Sequence, residues 1–381
     1  MTAQLDVFMP LPLTRRGPSY TCGMLAKGMA DPDFDVTIVT PRARAYPVSP
    51  AKVVQTLPHW ARYVPFRWIR SMAETNIEAA FLSRIDMNVS GTRGAYIWPD
   101  ASLDTIRQLK RANIKVFREM INCHRGSAKI ILDDAYRRIG LPPAHTITDA
   151  SVVLEKELLA EVDYIFCPNP MVEESLTANG VSQSKIMKAS YGWDPGRFVG
   201  SAKLLQPIEG ITAVFAGLIC VRKGCHLLLD YWARSGVRGR LVLAGVLDET
   251  IKTHCADLLA RDDVVVLDYV ADVGALYRSA DIFVFPSLEE GGPQVTYEAC
   301  GCGVPVITTP MGAGRIVRGG EEGFVVDPYD GEGWIAALRT LAQDHERRRI
   351  MAWKAAERAK TFHWDVVARR RRQQMLDRLT I

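Results

Sequence analysis

The sequence predicts an α/β chain made of two doubly wound, parallel-sheet domains that face each other across a cleft. Three observations lead there. Short continuous runs of Val, Ile, Leu and Phe alternate with helical stretches along the chain, which is the pattern of parallel strands covered on both faces. A length of 381 residues exceeds one simple core and suits two domains of ordinary size. Turn residues in "GSAKLLQPIEGI", residues 200–211, come just before a fresh strand and mark a boundary.

In chain order, the strands expected in the first half are Leu5–Met9, Phe34–Val39, Ala95–Trp98, Ile114–Ile121, Val162–Cys167 and Ile186–Tyr191. In the second half they are Ile211–Ala216, Arg240–Ala244, Val264–Val270, Ile282–Phe285, Val304–Thr308 and Gly323–Val326. The first domain is assigned to residues 1–205 and the second to 206–361. A closing helix at about 362–381 is expected to pack back on the first domain, with Arg369–Arg372 as a solvated face.

Composition narrows the classes. Hydrophobic content of 48% and charged content of 24% are those of a globular protein, and a net charge of +4 is too small to suggest uniform nucleic-acid binding. The first residues show no basic leader with a long apolar run, and no window reaches a membrane-spanning length, so a cytoplasmic protein is expected. The eight cysteines are scattered, as reduced thiols are in a large core, and Cys300-Gly-Cys302 lacks the spacing of a zinc pair.

The most informative stretch is "VFPSLEEGGPQVTYEACGCGVPVIT", Val284 to Thr308. A buried strand stops at Pro286, Gly291 and Gly292 form a flexible loop, and Pro293 opens a helix. Val295, Ala299 and Cys302 share the core face of that helix, while Gln294 and Glu298 share another. Helix-start amides and glycines favour a phosphate. Carboxylates repel one, but they accept hydrogen bonds from the paired hydroxyls of sugars. Glu290 and Glu298 around a phosphate cradle therefore point to a nucleotide sugar. An ordinary acidic loop would explain either acid alone, but not the whole arrangement. In "VFAGLICVRKGCHLLLDYW" a strand ends at Gly217, and Lys223 with Arg222 stands at the following strand-to-helix turn, where cations can neutralise a diphosphate.

These segments carry a resemblance. "EEGGPQVTYEACGCGVPVI" resembles the E-x7-E segment of retaining family 4 glycosyltransferases (glycosyl transferases group 1), and "FAGLICVRKG" is similar to their glycine–lysine segment. "ADIFVFPSLEE", "KASYGWDPGRF" and "ELLAEVDYIFCPNPMVEESL" match further stretches in the same order. The resemblance implies a GT-B fold and metal-independent, retaining transfer of a hexose-type sugar. It further implies a UDP- or GDP-sugar donor bound by the second domain, a saccharide or lipid-linked acceptor bound by the first, no cofactor, and a setting in polysaccharide or glycolipid biosynthesis. It makes Glu290 a contact of the transferred sugar, Glu298 a holder of the ribose and Lys223 the partner of the leaving diphosphate. Gly17, Gly217, Arg222, Gly291, Gly292, Pro293 and Gln294 complete the donor site, with the base near Tyr269-Val270 and chiefly at Val270.

His124, in a loop after the strand Ile114–Ile121, matches a family histidine near the donor sugar and joins Lys223 and Glu290 as a catalytic residue; a loop histidine without a role is the plain alternative. Two departures stand out: Leu218 occupies a position where the family often has arginine, and the first loop carries a lone Gly17. "LPHWARYVPFRWIRSM" interleaves aromatics with arginines, which suits peripheral membrane contact at the inner face or an ordinary packed helix.

Rival readings are a nucleotide-sugar epimerase of GT-B fold and a non-catalytic nucleotide-sugar-binding protein. A nicotinamide oxidoreductase is disfavoured, because no G-x-G-x-x-G follows a strand.

Overall fold

The computed structural model describes residues 3–43, 47–85, 92–99 and 101–380. The first sheet holds β1 (Ala3–Phe8), β2 (Phe34–Thr40), β3 (Lys52–Gln55), β4 (Arg93–Ile97), β5 (Lys115–Glu119), β6 (Tyr164–Cys167) and β7 (Ile186–Lys188), in the order β3-β2-β1-β4-β5-β6-β7. The second holds β8 (Ile211–Ala216), β9 (Gly239–Ala244), β10 (Val264–Leu267), β11 (Ile282–Phe285), β12 (Val306–Thr308) and β13 (Gly323–Val325), in the order β10-β9-β8-β11-β12-β13. Every strand pair is parallel. These are two Rossmann-like domains.

The sheets form where the apolar runs said they would, and β8, with all six residues buried, is the clearest case. β3 was not expected: "KVVQ" is short, half-exposed and at a sheet edge, so it lacks the apolar run of a central strand. Helix starts follow from capping chemistry. Ser102, Asn169, Asp248 and Asp330 each accept a backbone N–H, and Thr148 forms a capping box with Ser151. Each cap contributes about 1 kcal/mol.

Strand order sets where a ligand can sit. In each sheet the order reverses beside the first strand, between β1 and β4 and between β8 and β11. Loops at such reversals splay apart and leave a crevice at the C-terminal strand ends. The loops after β1, β5, β8, β10 and β11 all reach the space between the domains.

The closing helix Trp364–Leu379 lies against the helix Gly17–Met29. A Cβ on Gly28 would come within 2.6 Å of Ala368 Cβ, so only glycine allows this approach. Arg369–Arg372 is not a uniform solvated face. Arg371 is 1% exposed and donates to Glu119 Oε1 at 3.0 Å, Tyr96 OH at 2.6 Å and the Ser190 carbonyl at 3.1 Å, while Arg372 pairs with Asp31. Burial pushes the Glu119 carboxyl up, and Arg371 opposes that shift. The eight thiols are free, and among the described residues no helix is long and apolar enough to cross a membrane.

Removing one partner of a buried ion pair strands the other's charge. Arg371→Met is therefore expected to cost about 3–5 kcal/mol, and exposed Arg369→Met less than about 0.5 kcal/mol. Urea unfolding of the two variants checks the difference; equal midpoints would remove the role given to Arg371.

Candidate active site

A cavity of about 550 Å³ lies between the domains and is lined from both. The first domain supplies Arg16, Gly17, Tyr20, Thr21, Asn122 and Tyr191; the second supplies Gly217, Arg222, Lys223, Tyr269, Glu290, Gly292, Pro293, Gln294 and Glu298.

Gly17 opens its helix at φ +58°, with nothing within 4 Å of a would-be Cβ, so its backbone presents an open surface to the cleft. Gly217 follows β8 at φ +142°, a conformation that L side chains rarely adopt. The chain then turns through Val221–Lys223 before the helix Cys225–Ser235, which leaves Lys223 at the helix entrance. Lys223 Nζ contacts Glu290 Oε1, and the side chains are 9% and 12% exposed. A cation and a hydroxyl acceptor thus stand side by side. Burial first, then the Arg222 charge, lowers Lys223 to about 7, against the opposing Glu289 carboxylate.

Glu298 sits across the cavity on the helix Gln294–Gly301. Its Oε1 accepts from Gln294 Nε2 at 3.0 Å, and Arg197 Nη1 lies 3.7 Å away. Burial pushes its carboxyl up, and Arg197 opposes the shift. Gln294 reaches the first domain, accepting from Thr21 Oγ1 at 3.2 Å. Pro293 precedes this helix rather than starting it.

Three residues stand elsewhere than expected. His124 is 1% exposed and does not line the cavity. Its Nδ1 accepts from Gly126 N–H at 3.0 Å as the cap of the helix Arg125–Arg138, and burial with the Arg118 charge lowers it to about 4. It is a neutral capping imidazole; its neighbour Asn122 faces the cleft instead. Val270 is half-buried away from the cavity, and Tyr269 lines it, with the Arg16 guanidinium 4.2 Å from the ring centroid. Gly291 faces protein: a Cβ there would lie 2.2 Å from the Ile121 carbonyl, and one on Gly292 would lie 2.2 Å from the Tyr191 ring. The glycine pair lets the first domain close on the loop. Leu218 is 43% exposed, outside the cavity.

Glu289, the acid just before Glu290, has a role that the sequence motifs did not point to. It is 2% exposed and crosses the domain boundary. Its carboxylate accepts from Asn122 Nδ2 at 2.8 Å and from the Cys123 amide at 3.0 Å, and Arg222 Nη1 lies 3.3 Å away. Arg222 is thereby tied to this carboxylate. Spacing along one chain could not reveal Glu289, because its first-domain partners lie more than 160 residues upstream.

Two facing Rossmann-like domains with the site in the cleft between them make this a GT-B fold. Residues 210–344, within the second domain, match the family model described as "Glycosyl transferases group 1". A D-inositol 3-phosphate glycosyltransferase of Kineococcus radiotolerans is 32% identical over 207 residues, 47% of this chain and 47% of that protein. Another, of Rhodococcus jostii, is 37% identical over 278 residues, 61% of this chain and 60% of that protein. The chain thus spans less than two thirds of the length of these relatives. Among solved structures, sucrose-phosphate synthase from Thermosynechococcus elongatus superposes with a TM-score of 0.72 at 17% identity, covering 99% of both chains. Anabaena HepE in complex with UDP-glucose gives 0.68 at 14% identity, covering 98% of this chain and 99% of that one.

An alanine at 291 has no room in the joined arrangement. Gly291→Ala is expected to hold the domains apart, which small-angle scattering would read as a larger radius of gyration than that of the unsubstituted protein. An unchanged radius would refute the fit described for the glycine pair.

Proposed function

We propose that the protein is a retaining, metal-independent glycosyltransferase moving a hexose-type sugar from a nucleoside diphosphate sugar to a saccharide or lipid-linked acceptor. The observation that carries this reading is the contact of Lys223 with Glu290 in a cleft that also holds Glu298. A nucleotide sugar has an anionic diphosphate joined directly to a hydroxylated ring, so its site needs a cation beside a hydroxyl acceptor. In this reading Glu290 accepts from the sugar's hydroxyls, Glu298 from the ribose, and Lys223 balances charge on the departing phosphate. The bond from the sugar's anomeric carbon to the diphosphate breaks on the same face where the acceptor oxygen bonds. The acceptor's proton passes to the leaving phosphate oxygen. HepE's UDP-glucose complex supports a UDP-sugar as the first donor to try, and the relatives' name makes an inositol phosphate the first acceptor.

Exposed aromatics support peripheral membrane contact as part of this reading. Trp60, Tyr63 and Trp68 are 57%, 78% and 70% exposed on two short turns around Pro65, and the Arg67 guanidinium lies 5.5 Å from the Trp68 ring centroid. The side chain of Arg62 lies outside the described residues.

Lys223→Ala and Glu290→Ala are each expected to lower kcat/KM for sugar transfer by ~10²–10³-fold, the scale of losing one transition-state electrostatic contact, measured below each variant's own unfolding temperature, which falls because the partner left behind is 9% or 12% exposed. Full activity in both folded variants would overturn the assignment. Donor turnover without any acceptor would favour an epimerase.

A lysine held at about 7 is charged below that pH and loses its charge as pH rises through it. If Lys223 must be cationic, kcat/KM falls above pH 7, and Lys223→Arg, charged at every accessible pH, abolishes that falling limb whatever its overall rate. A pH–rate profile keeping the limb in Lys223→Arg would assign it to another group.

A further inference from the structure

A second cavity, of about 560 Å³, shares no lining residue with the donor cleft. Its wall carries six cations, Lys188, Arg315, Arg318, Arg358, Arg370 and Arg371, and no carboxylate. Glu173 pairs with Arg315, Glu322 with Arg318 and Glu119 with Arg371, all from outside the wall. Arg358 is held by the Ile316 carbonyl at 2.7 Å and the Arg315 carbonyl at 2.8 Å, with the already paired Glu322 3.7 Å off. Lys188 and Arg370 are exposed, and neither makes an ion pair among the described residues. The positive charge on this wall therefore exceeds what its partners neutralise, and like charges gathered around one space raise its affinity for an anion.

The wall is built from three parts of the fold. Lys188 and Ser190 end the first sheet, Arg315 and Arg318 follow a short helix of the second domain, and Arg370 comes from the closing helix. Arg315 is fixed rather than floppy: its Nε donates to the Ala189 carbonyl at 2.6 Å across the domain boundary. With Nε on that carbonyl and Nη2 on Glu173, Arg315 would meet an anion through Nη1, while Lys188 and Arg370 bring ammonium and guanidinium groups outside any ion pair among the described residues.

We propose that this cavity is a second anion site that takes the phosphate groups of a phosphorylated molecule and joins the two domains outside the donor cleft. The site also has a route to the donor cleft. The Arg315 amide donates to Tyr297 OH at 3.1 Å, and Tyr297 is the helix neighbour of Glu298. A ligand that ties Arg315 to Lys188 and Arg370 thus bears on the helix that presents Glu298, and by linkage donor binding bears equally on it.

Inorganic pyrophosphate is the probe, with potassium chloride at matched ionic strength as control. It is expected to raise the unfolding temperature of the unsubstituted protein and of Lys223→Ala, since a ligand that binds only the folded state stabilises it by mass action. The rise is expected to fall by at least half in the Lys188→Ala/Arg370→Ala double variant, whose unliganded unfolding temperature reports intact folding because both side chains are exposed. Two results would overturn the proposal: no rise beyond the salt control, or a rise abolished by Lys223→Ala and untouched in the double variant. Flotation with vesicles of phosphatidylcholine containing a phosphoinositide identifies the source. Flotation lost in the double variant assigns a lipid headgroup; a pyrophosphate response without phosphoinositide-dependent flotation assigns a soluble phosphate. Neither outcome depends on sugar-transfer activity, so the site and the proposed function can fail separately.

Discussion

The arrangement of the cleft depends on one carboxylate. Glu289 belongs to the second domain, yet two of its hydrogen bonds come from the first, through Asn122 and the Cys123 amide. A buried carboxylate without donors would cost several kcal/mol, so the second domain's loop is stable in this shape only while the first domain supplies those donors. Arg222 is held by the same carboxylate, and Lys223 and Glu290 flank the pair in sequence. Closing the domains and shaping the donor site are thus one event rather than two.

The fold was legible because parallel strands buried on both faces leave uninterrupted apolar runs. The same physics explains where the reading overran. The runs Ile114–Ile121, Ile186–Tyr191 and Val264–Val270 extend past the ends of β5, β7 and β10. Two of the surpluses are wanted at the domain junction, where Ile121 packs against Gly291 and Tyr191 against Gly292, whereas Tyr269 stays 61% exposed beside Arg16. Apolar character marks burial, and burial between domains looks the same in sequence as burial in a sheet. β3 escaped for the opposite reason, having too little buried surface to leave a pattern.

The site was legible to the degree that it is local. Lys223 and Glu290 lie on two strand-to-helix turns and Gln294 and Glu298 on the helix after the second, and their spacing alone brings them to one sheet edge. His124 shows the limit of reading by position: its loop is next to the cleft, but its ring turns inward to cap a helix. Glu289 shows the converse, an acid that neighbours a site residue and whose work is visible only when both domains are present. Arg371 belongs with it, an arginine in a basic run whose partner is fixed by the tertiary fold.

That last pair bears on the order in which the chain can become native. Glu119, on a central strand of the first sheet, is neutralised by Arg371, 252 residues further along. A ribosome releases the whole second domain before it releases the helix that carries Arg371. Until then the first domain holds a carboxyl group with its cation missing and exposes the groove of the Gly17–Met29 helix that Trp364 and Ala368 fill. The domain made first is therefore the one completed last, and the closing helix works as the final part of a domain from which it is most distant in sequence.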